Sequence, residues 1–232
     1  VSVVDGRGDL NITGLASGTY GIEAEFLGDE NYAPVRNDSE ELTILKSNVA
    51  VIDISASDVV YGEDLIANIS LVDSEGYNIT GTVQIRINGG EWIDVSVADG
   101  VGSYNFGKLD VGTYTIDVMF NNTDYDPSIV EDNVTVEVSK ASDSKVDIAV
   151  ENVTIDYGEV AVVNITVSGL EGALLNGNAT INVNGTVKNV TVINGSGQAE
   201  FENLSAGDYV SYVEFVSDNY LVANALGSIA VE

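Results

Sequence analysis

Asparagine is the residue type whose spacing in this sequence points most directly to chemistry. Of the 22 asparagines, 13 stand two residues before a serine or threonine, which is the Asn-x-Ser/Thr pattern that N-glycosylation requires. The pattern predicts an exported glycoprotein in which some of these side chains carry glycans. An alternating strand produces the same spacing without modification, because residues two apart share one solvated face. The 13 positions are Asn11, Asn37, Asn68, Asn78, Asn121, Asn133, Asn152, Asn164, Asn178, Asn184, Asn189, Asn194 and Asn203.

The residue types that are absent exclude most catalytic sites. The sequence has no cysteine and no histidine, which removes disulfides, thiolate nucleophiles, the usual general base and the commonest neutral metal ligand. A pair of carboxylates alone can hydrolyse a glycosidic bond. No such pair stands out, however, among 37 acidic residues that are spread over the whole sequence. We therefore expect a protein that is not an enzyme and that needs no cofactor.

Calcium is the one metal ion that the acidic residues leave open. It takes roughly six to eight oxygen ligands, and several short acidic clusters offer carboxylates. None of the clusters has the DxDxDG spacing of a known calcium-binding loop, so a solvated acidic surface is the simpler interpretation. The clusters lie at residues 29–30, 37–41, 63–64, 124–126 and 131–132.

The formal net charge of −29 restricts the partners of this chain. A field of that sign repels the phosphate backbone of nucleic acids and anionic membrane surfaces. No apolar run approaches the roughly 20 residues of a membrane-spanning helix, so we expect no membrane insertion by this segment. The partners that remain are a host or cell-surface protein, a carbohydrate, or copies of the chain itself.

The elements that must position these residues come from a repeat. The pattern Leu-x-x-Gly-x-Tyr, followed by alternating apolar residues, begins at Leu15, Leu109 and Leu204, so the copies lie 94 and then 95 residues apart. A period of this size is that of one small domain, which makes the chain an array. The sequence predicts domains at residues 1–45, 46–139 and 140–232, of which the first is only the later half of a repeat.

Alternating apolar residues predict an all-β fold with about seven strands in each repeat. Asn-Gly and Asp-Gly pairs between the strands predict tight hairpins, since these residues accept a positive φ. Residues 140–232 follow the same order as residues 46–139. In the second repeat the strands are expected at residues 49–54, 65–72, 82–87, 92–97, 102–106 and 133–138, with one more in the repeated pattern.

Residues 1–45 lack the strands that begin a repeat. Strands are expected at residues 9–12, 18–27 and 40–45. A half sandwich of this kind would leave an apolar face and an open sheet edge. We therefore expect that the natural chain begins earlier, or that another chain completes this half.

Four short strings in this sequence suggest a family. They are Tyr-Gly-Glu at residues 61–63 and 157–159, Asn-Gly hairpins, Leu-x-x-Gly-x-Tyr, and the string at residues 29–32 that ends in Asn-Tyr and nearly recurs at 218–220. Together they resemble the bacterial immunoglobulin-like repeats, and most closely the tandem versions in adhesin-like surface proteins of methanogenic archaea. The resemblance implies immunoglobulin-like β-sandwiches arranged end to end, in a protein outside the cell.

The resemblance also gives the repeated tyrosine a structural explanation. In immunoglobulin-like sandwiches a tyrosine near the start of one strand buries its ring and donates a hydrogen bond to the backbone at the corner. Tyr20, Tyr114 and Tyr209 are expected to be these corners. The glycine two positions earlier is expected to allow a close approach of the chain.

Two further features fit a structural interpretation better than a binding one. Arg7, Gly8 and Asp9 match the tripeptide that many integrin ligands display, but residues 101–103 and 196–198 occupy the same place in the later repeats. The tripeptide is thus predicted to fill a hairpin position common to all repeats. Trp92, the only tryptophan, could stack on a sugar ring, although a lone aromatic residue more often covers a sheet edge or packs at a domain contact.

The sequence therefore predicts a cell-surface, adhesin-like structural or stalk protein, which mediates attachment or projects a binding domain. The alternative is a subunit of a self-assembling extracellular filament, in which another chain completes the first, partial repeat. Size-exclusion chromatography distinguishes the two, because a stalk segment is monomeric once its missing strands are restored, whereas a filament subunit stays multimeric.

Overall fold

A computed structural model describes residues 1–47 and 49–232 of the chain. About 62% of the chain is strand and 3% is helix, so the all-β prediction is confirmed. The helical part consists of single 3-10 turns at Asp143–Lys145 and Leu170–Gly172. Within the described residues, no helix has the length and hydropathy needed to cross a membrane.

Eighteen strands are assigned within the described residues, and they fall into three groups along the chain. The first group is β1 (Gly18–Phe26) and β2 (Val35–Ile44). The second is β3 (Ala50–Ala56), β4 (Val59–Val60), β5 (Asp64–Asp73), β6 (Gly81–Ile87), β7 (Ile93–Val97), β8 (Val101–Lys108), β9 (Gly112–Asn121) and β10 (Ile129–Ser139). The third is β11 (Asp147–Val150), β12 (Val153–Ile155), β13 (Ala161–Ser168), β14 (Gly177–Val183), β15 (Thr186–Val192), β16 (Ser196–Phe201), β17 (Gly207–Val216) and β18 (Ala223–Val231).

The second and third groups each form a two-sheet sandwich with the same topology. In the second group the sheets have the orders β3-β5-β8 and β4-β10-β9-β6-β7, and in the third they are β11-β13-β16 and β12-β18-β17-β14-β15. The short β4 and β12 pair in parallel with the last strand of their group. The described part thus shows eight strands in each sandwich instead of about seven, because a short strand that was not expected, β4 or β12, follows the first strand and pairs in the other sheet.

Alternation in the sequence determines which side chains form each core. Along β5, Leu65, Ala67, Ile69 and Leu71 are buried and the residues between them are exposed, as the two-residue period of a strand requires. The third sandwich has the same arrangement, with a core that includes Phe201 and Phe215. Burial of apolar side chains from both sheets is therefore what holds each sandwich together.

The hairpins have the backbone that their sequence predicts. Asn88 and Gly89 have φ values of 48° and 69°, and Asn184 and Gly185 have 49° and 84°. The Asp99-Gly100 and Asn194-Gly195 turns are also left-handed at both positions. These pairs occur at the tight hairpins because few other residue pairs adopt two successive positive φ angles without strain.

The first segment forms a two-stranded antiparallel sheet, in which Gly18 pairs with Ile44 and Phe26 with Val35. Large apolar side chains of this sheet are exposed, among them Ile22 and Phe26, each at 44%. Two sequence expectations are wrong here: residues 9–12 form no strand, and β2 begins at residue 35 instead of 40. Charged residues interrupt the apolar alternation of β2, so its first half is hard to recognise as a strand.

Contacts divide the chain into two compact units that do not follow the repeat boundaries. One unit contains Val1–Ser55, Asn68–Tyr104 and Thr115–Val134, and the other contains Ala56–Ala67, Asn105–Tyr114 and Thr135–Glu232. The division passes through the second sandwich. The domain boundaries after residues 45 and 139 therefore stay predictions from the sequence.

Candidate functional site

The three repeated tyrosines make the same backbone hydrogen bond. Tyr20 donates its hydroxyl to the Ala16 carbonyl at 2.9 Å. Tyr114 donates to the Asp110 carbonyl and Tyr209 to the Ser205 carbonyl, each at 2.8 Å. All three rings are half-buried, whereas full burial was expected. Each bond closes the bend that precedes β1, β9 or β17.

In two of its three copies, the glycine of the repeated pattern is required for its conformation instead of its size. Gly18 and Gly207 have φ values of 152° and 141°, which residues with a side chain rarely adopt. A Cβ atom at Gly207 would meet no atom within 4 Å. At Gly112 a Cβ would lie 3.7 Å from the Tyr114 ring, an ordinary contact. The expected close approach of the chain at this glycine is therefore wrong.

Ser17, the residue before Gly18, takes part in a hydrogen-bonded junction within the first compact unit. We call it the first junction and define it by Ser17, Ser47 and Asp124. The Asp124 carboxylate accepts the Ser17 backbone N–H at 2.7 Å and the Ser17 hydroxyl at 2.9 Å. Its backbone carbonyl accepts the Ser47 N–H at 2.6 Å. One aspartate therefore holds the bend before β1 and the segment before β3.

The electrostatics of the first junction reflect these hydrogen bonds. The pKa of the Asp124 carboxyl is lowered from its ordinary value of 3.8, first by the Ser17 N–H and then by the Ser17 hydroxyl. The nearby Lys46 charge lowers this pKa further, and desolvation opposes the shift. Burial raises the pKa of Tyr125, and the charges of Asp73 and Asp124 add to that rise. Donors directed at Asp124 thus favour its ionised form.

A matching arrangement in the other compact unit, the second junction, is defined by Val111, Ala141 and Asn219. The Asn219 side-chain oxygen accepts the Val111 N–H at 3.0 Å, and its backbone carbonyl accepts the Ala141 N–H at 3.0 Å. Its amide nitrogen also donates to the Asp110 carboxylate at 2.9 Å. Val111 precedes Gly112 as Ser17 precedes Gly18, so the same backbone position is bound in both junctions.

A tyrosine follows the bridging residue in both junctions and packs on a second aromatic ring, which lies in the preceding repeat for Tyr220 and in the same repeat for Tyr125. Tyr220 is only 3% exposed, and its ring meets Tyr61 edge to face at a centroid distance of 5.3 Å. The Tyr220 hydroxyl accepts the Leu170 N–H at 3.0 Å. Tyr125 packs in a similar way on Phe120, at 5.5 Å. The buried ring fixes the turn whose side chain crosses the junction.

The functions of Asp124 and Asn219 were missed in the sequence. The Asn-Tyr pairs at residues 31–32 and 219–220 indicated only a family resemblance, and the related pair Asp124-Tyr125 did not form part of that resemblance. A signal was present, because Tyr32, Tyr125 and Tyr220 are 93 and 95 residues apart and each follows an asparagine or aspartate. A hydrogen-bonding side chain that recurs with the period of the array, next to a buried aromatic residue, is the pattern to look for.

Twelve of the 13 sequon asparagines, all within the described residues, are exposed. The exception is Asn164, which is half-buried and donates to the Glu151 carboxylate at 2.9 Å. Asn37 accepts hydrogen bonds from the backbone N–H and the hydroxyl of Ser39, the serine of its own sequon. The exposed amides are sterically available, and glycan occupancy stays a prediction.

The tripeptide Arg7-Gly8-Asp9 lies in the hairpin position predicted for it. Val4 and Arg7 form an isolated bridge across the Asp5-Gly6 turn, as Ala98 and Val101 do, and Ile193 and Ser196. A Cβ atom at Gly8 would lie 2.9 Å from a methyl carbon of Val1. The glycine therefore has a packing reason of its own.

The acidic clusters that left calcium open do not converge. Among the described residues, no three acidic side chains are grouped so that they could hold a metal ion. Two of the carboxylates concerned have other partners: Asp124 binds Ser17, and Asp132 accepts the Ile54 N–H at 3.0 Å. A calcium ion thus has no preferred position among them.

Comparison with known proteins identifies the fold and no family. No family model matches the sequence, and no curated protein matches it significantly. Among solved structures, the chain is similar to invasin, a bacterial integrin-binding protein, at 14% identity and a TM-score of 0.53. The match covers 79% of this chain and 40% of invasin.

Two further solved structures are similar over comparable lengths. A two-domain fibronectin type III segment of chicken tenascin has 13% identity and a TM-score of 0.47, with coverage of 75% of this chain and 96% of the segment. The adhesin InvE of Yersinia pseudotuberculosis has 12% identity and a TM-score of 0.40, with coverage of 78% and 58%. The two-sheet topology and the similarity to invasin show that the fold of this chain is an immunoglobulin-like β-sandwich.

Proposed function

We propose that this chain is a stalk segment of an extracellular, adhesin-like surface protein, which mediates attachment or projects a binding domain. The observation that carries the proposal is the repeated junction. The same backbone N–H is bound by Asp124 in one compact unit and by Asn219 in the other. An array whose repeats are joined by a recurring set of hydrogen bonds is suited to holding a binding surface at a fixed distance.

The hydrogen bonds of each junction restrict the peptide where one repeat leads into the next. In the second junction Asn219 binds Val111, Asp110 and Ala141, and Lys140 donates to the Ser217 carbonyl at 2.8 Å. A net hydrogen bond typically stabilises by about 0.5–1.5 kcal/mol. Several such bonds at one connection resist bending that a free linker of the same length would allow.

The surface supports a place outside the cell. The charge of −29 repels neighbouring copies and so favours solubility. Twelve exposed sequon asparagines offer sites for glycans, which are added to exported proteins. The fold is one that it shares with invasin, a bacterial integrin-binding protein, although fold alone does not transfer a function.

A second candidate function is a subunit of an extracellular filament, and one observation favours it. The β1–β2 sheet exposes Ile22 and Phe26, each at 44%, and has two unpaired edges among the described residues. An exposed apolar sheet with open edges is a template for strands from another chain. Sedimentation velocity separates the candidates: a stalk segment stays monomeric as the concentration rises, and a filament subunit forms larger species.

The stalk proposal is tested by the distance between two spin labels at Ser57 and Asn184, which are both exposed and both within the second compact unit. We expect a single narrow distance distribution that broadens when Asn219→Ala removes the bridging side chain. Gln84→Ala, which alters an exposed hydrogen bond far from this junction in sequence, is the control and should leave the distribution unchanged. A broad distribution in the unmodified chain would contradict a stalk.

A further inference from the structure

A polar cavity lies on the solvent-facing side of the five-stranded sheet in the second sandwich. It has a volume of about 310 Å³ and collects side chains from β6, β9 and β10 and from Trp92 before β7. It belongs to neither junction and lies within the first compact unit. The polar and aromatic residues that line it are Arg86, Trp92, Asp117, Glu131, Asp132 and Asn133.

The centre of the cavity is pre-organised. Arg86 donates through Nε to the Asp117 carboxylate at 2.8 Å, and their side chains are 33% and 26% exposed. The Arg86 guanidinium also stacks on Trp92, with its central carbon 4.3 Å from the ring centroid. Side chains that are fixed before a ligand arrives lose less conformational entropy on binding.

The third sandwich shows that the fold does not require these residues. The equivalent row there consists of Asn182, Val187, Tyr212 and Leu226, which are neighbours across four adjacent strands. Val187, Tyr212 and Leu226 are exposed apolar or aromatic side chains. The same position on the same sheet thus carries a charged, aromatic cavity in one repeat and an apolar row in the other. Packing alone does not account for the difference.

We propose that the Trp92 cavity binds one pyranose ring of a neutral saccharide. Trp92 is half-buried, and the part of its indole that Arg86 leaves uncovered offers an apolar surface for the C–H face of a sugar. Arg86 donates hydrogen bonds, Asp117 and Glu131 accept them, and sugar hydroxyls do both. The volume is at the lower end of the range for ligand sites, about 300–1,000 Å³, which suits a single ring. This inference does not depend on the stalk proposal.

The charges in the cavity select against other ligand classes. Glu131 and Asp132 line it, and together with the net charge of −29 they repel uronic and sialic acids. A cationic ligand would meet the positive charge of Arg86 beside the indole. A neutral ring with hydroxyl groups satisfies both signs of charge without an ion of its own.

The sugar has two possible sources with the same chemistry. Asn133 lines the cavity, is exposed and begins a sequon. The ring is therefore either part of a separate glycan or the first sugar of a glycan attached at Asn133. In the first case the cavity is an adhesive site, and in the second it fixes the orientation of the chain's own glycan.

The first arm of the test uses Trp92 as the reporter, because the chain has no other tryptophan. The whole, unglycosylated chain is titrated with galactose, mannose and N-acetylglucosamine while tryptophan emission is recorded. We expect a saturable change with a dissociation constant of about 1 mM or below for at least one sugar, and at least tenfold weaker binding of glucuronate. Tetramethylammonium serves as the cation probe, and a response to this probe alone would overturn the proposal.

Matched variants copy the third sandwich into the second. Trp92→Val and Arg86→Asn introduce the residues found at 187 and 182, so each is compatible with the same sheet. Calorimetry with the sugar that binds should show at least a tenfold loss for both, whereas Val187→Ala leaves binding unchanged. Circular dichroism checks that the variants are folded. Unchanged affinity in a folded Trp92→Val variant would contradict the site.

The second arm compares the chain made in a glycosylating host with its Asn133→Gln variant. If the glycan at Asn133 occupies the cavity, Trp92 emission differs between the two, and free sugar binds only to the variant. Either arm supports the proposal and identifies the source of the ring. The proposal is wrong if no neutral sugar gives a saturable change and the Asn133 glycan leaves the emission unaltered.

Discussion

At the first junction a carboxylate, Asp124, accepts the N–H of the residue before the repeated glycine, whereas at the second junction the amide of Asn219 accepts the equivalent N–H. Both bridging residues also use their backbone carbonyl to bind the segment that leads into the next strand. The position therefore requires an acceptor oxygen on a short side chain, and it does not require a charge. What the charge changes is how each junction responds to its surroundings.

The surroundings differ in a way that matches the two side chains. Asp124 has the Ser17 N–H and hydroxyl as donors and Lys46 nearby, all of which favour an anion. Asn219 faces the Asp110 carboxylate, to which its amide donates. A carboxylate at 219 would be placed beside another carboxylate, so the two junctions are not interchangeable in both directions.

The largest expected effect comes from the tyrosine that anchors each bridging residue. Tyr220→Ala should destabilise the third sandwich by about 3–5 kcal/mol, the usual cost of removing a buried aromatic side chain, because Tyr220 is only 3% exposed. Tyr125→Ala should cost less, since Tyr125 is half-buried. Urea unfolding followed by hydrogen exchange in each repeat measures both. Equal losses would mean that the two junctions are anchored alike.

The second largest effect is expected when the bridging residue of one junction is replaced by that of the other. Asn219→Ala removes the acceptor for Val111 and the donor to Asp110, and we expect a loss of about 1–3 kcal/mol. Asn219→Asp keeps the acceptor but faces Asp110, so it should also destabilise, whereas Asp124→Asn should be tolerated. Exchange of the Val111 and Ser17 amides is the local measurement. If the Asn219→Asp variant is as stable as the unmodified chain, the proposed effect of Asp110 is refuted.

A smaller effect is the pH dependence of the first junction. The folded pKa of Asp124 is lowered below 3.8, so the stabilisation it provides is complete above that value. It is lost as the pH falls through the lowered folded pKa, because protonation removes the negative charge that strengthens the two hydrogen bonds from Ser17. Protection of the Ser17 amide should therefore fall in acid.

The matched control for this titration is Asp124→Asn, which keeps an acceptor oxygen that does not titrate. In this variant the Ser17 amide should show no acid-dependent loss of protection over the same pH range. A loss of equal size in the variant would assign the pH dependence to another group.

The smallest effect is expected at the ion pair between Lys108 and Glu171 near the second junction. Their atoms are 3.2 Å apart, but the side chains are 55% and 82% exposed. Exposed pairs contribute about 0–1 kcal/mol, so Lys108→Ala should change the stability by less than about 0.5 kcal/mol. Thermal unfolding at low and high salt checks this, and a larger, salt-sensitive loss would make the pair a real part of the junction.

The features that the sequence predicts correctly are local ones. Hairpins such as Asn88-Gly89 depend on two residues with positive φ, and a strand such as β5 depends on alternation within ten residues. The residues that make up each of these signals are neighbours in the sequence, so a single sequence suffices to recognise them.

The features that were missed depend on distant contacts. Asp124 meets Ser17, 107 residues earlier, and neither residue type is unusual where it stands. The expected reason for the glycine was wrong, because no neighbour crowds it in any copy, and at Gly18 and Gly207 the φ angle sets the requirement. Trp92 was expected to cover a sheet edge or to pack at a domain contact, and its stacking on Arg86 was missed because the two residues lie on the two sides of a hairpin, Arg86 on β6 and Trp92 before β7.

The sequence separation across the first junction also sets an order in time. Ser17 finds its acceptor only after 107 more residues have been made, which at about 5–20 residues per second takes roughly 5–20 s. Until then the Tyr20 hydrogen bond, which spans only four residues, is already available to close the bend before β1. A repeat of this type is therefore completed by the one synthesised after it, so the array matures from its amino-terminal end.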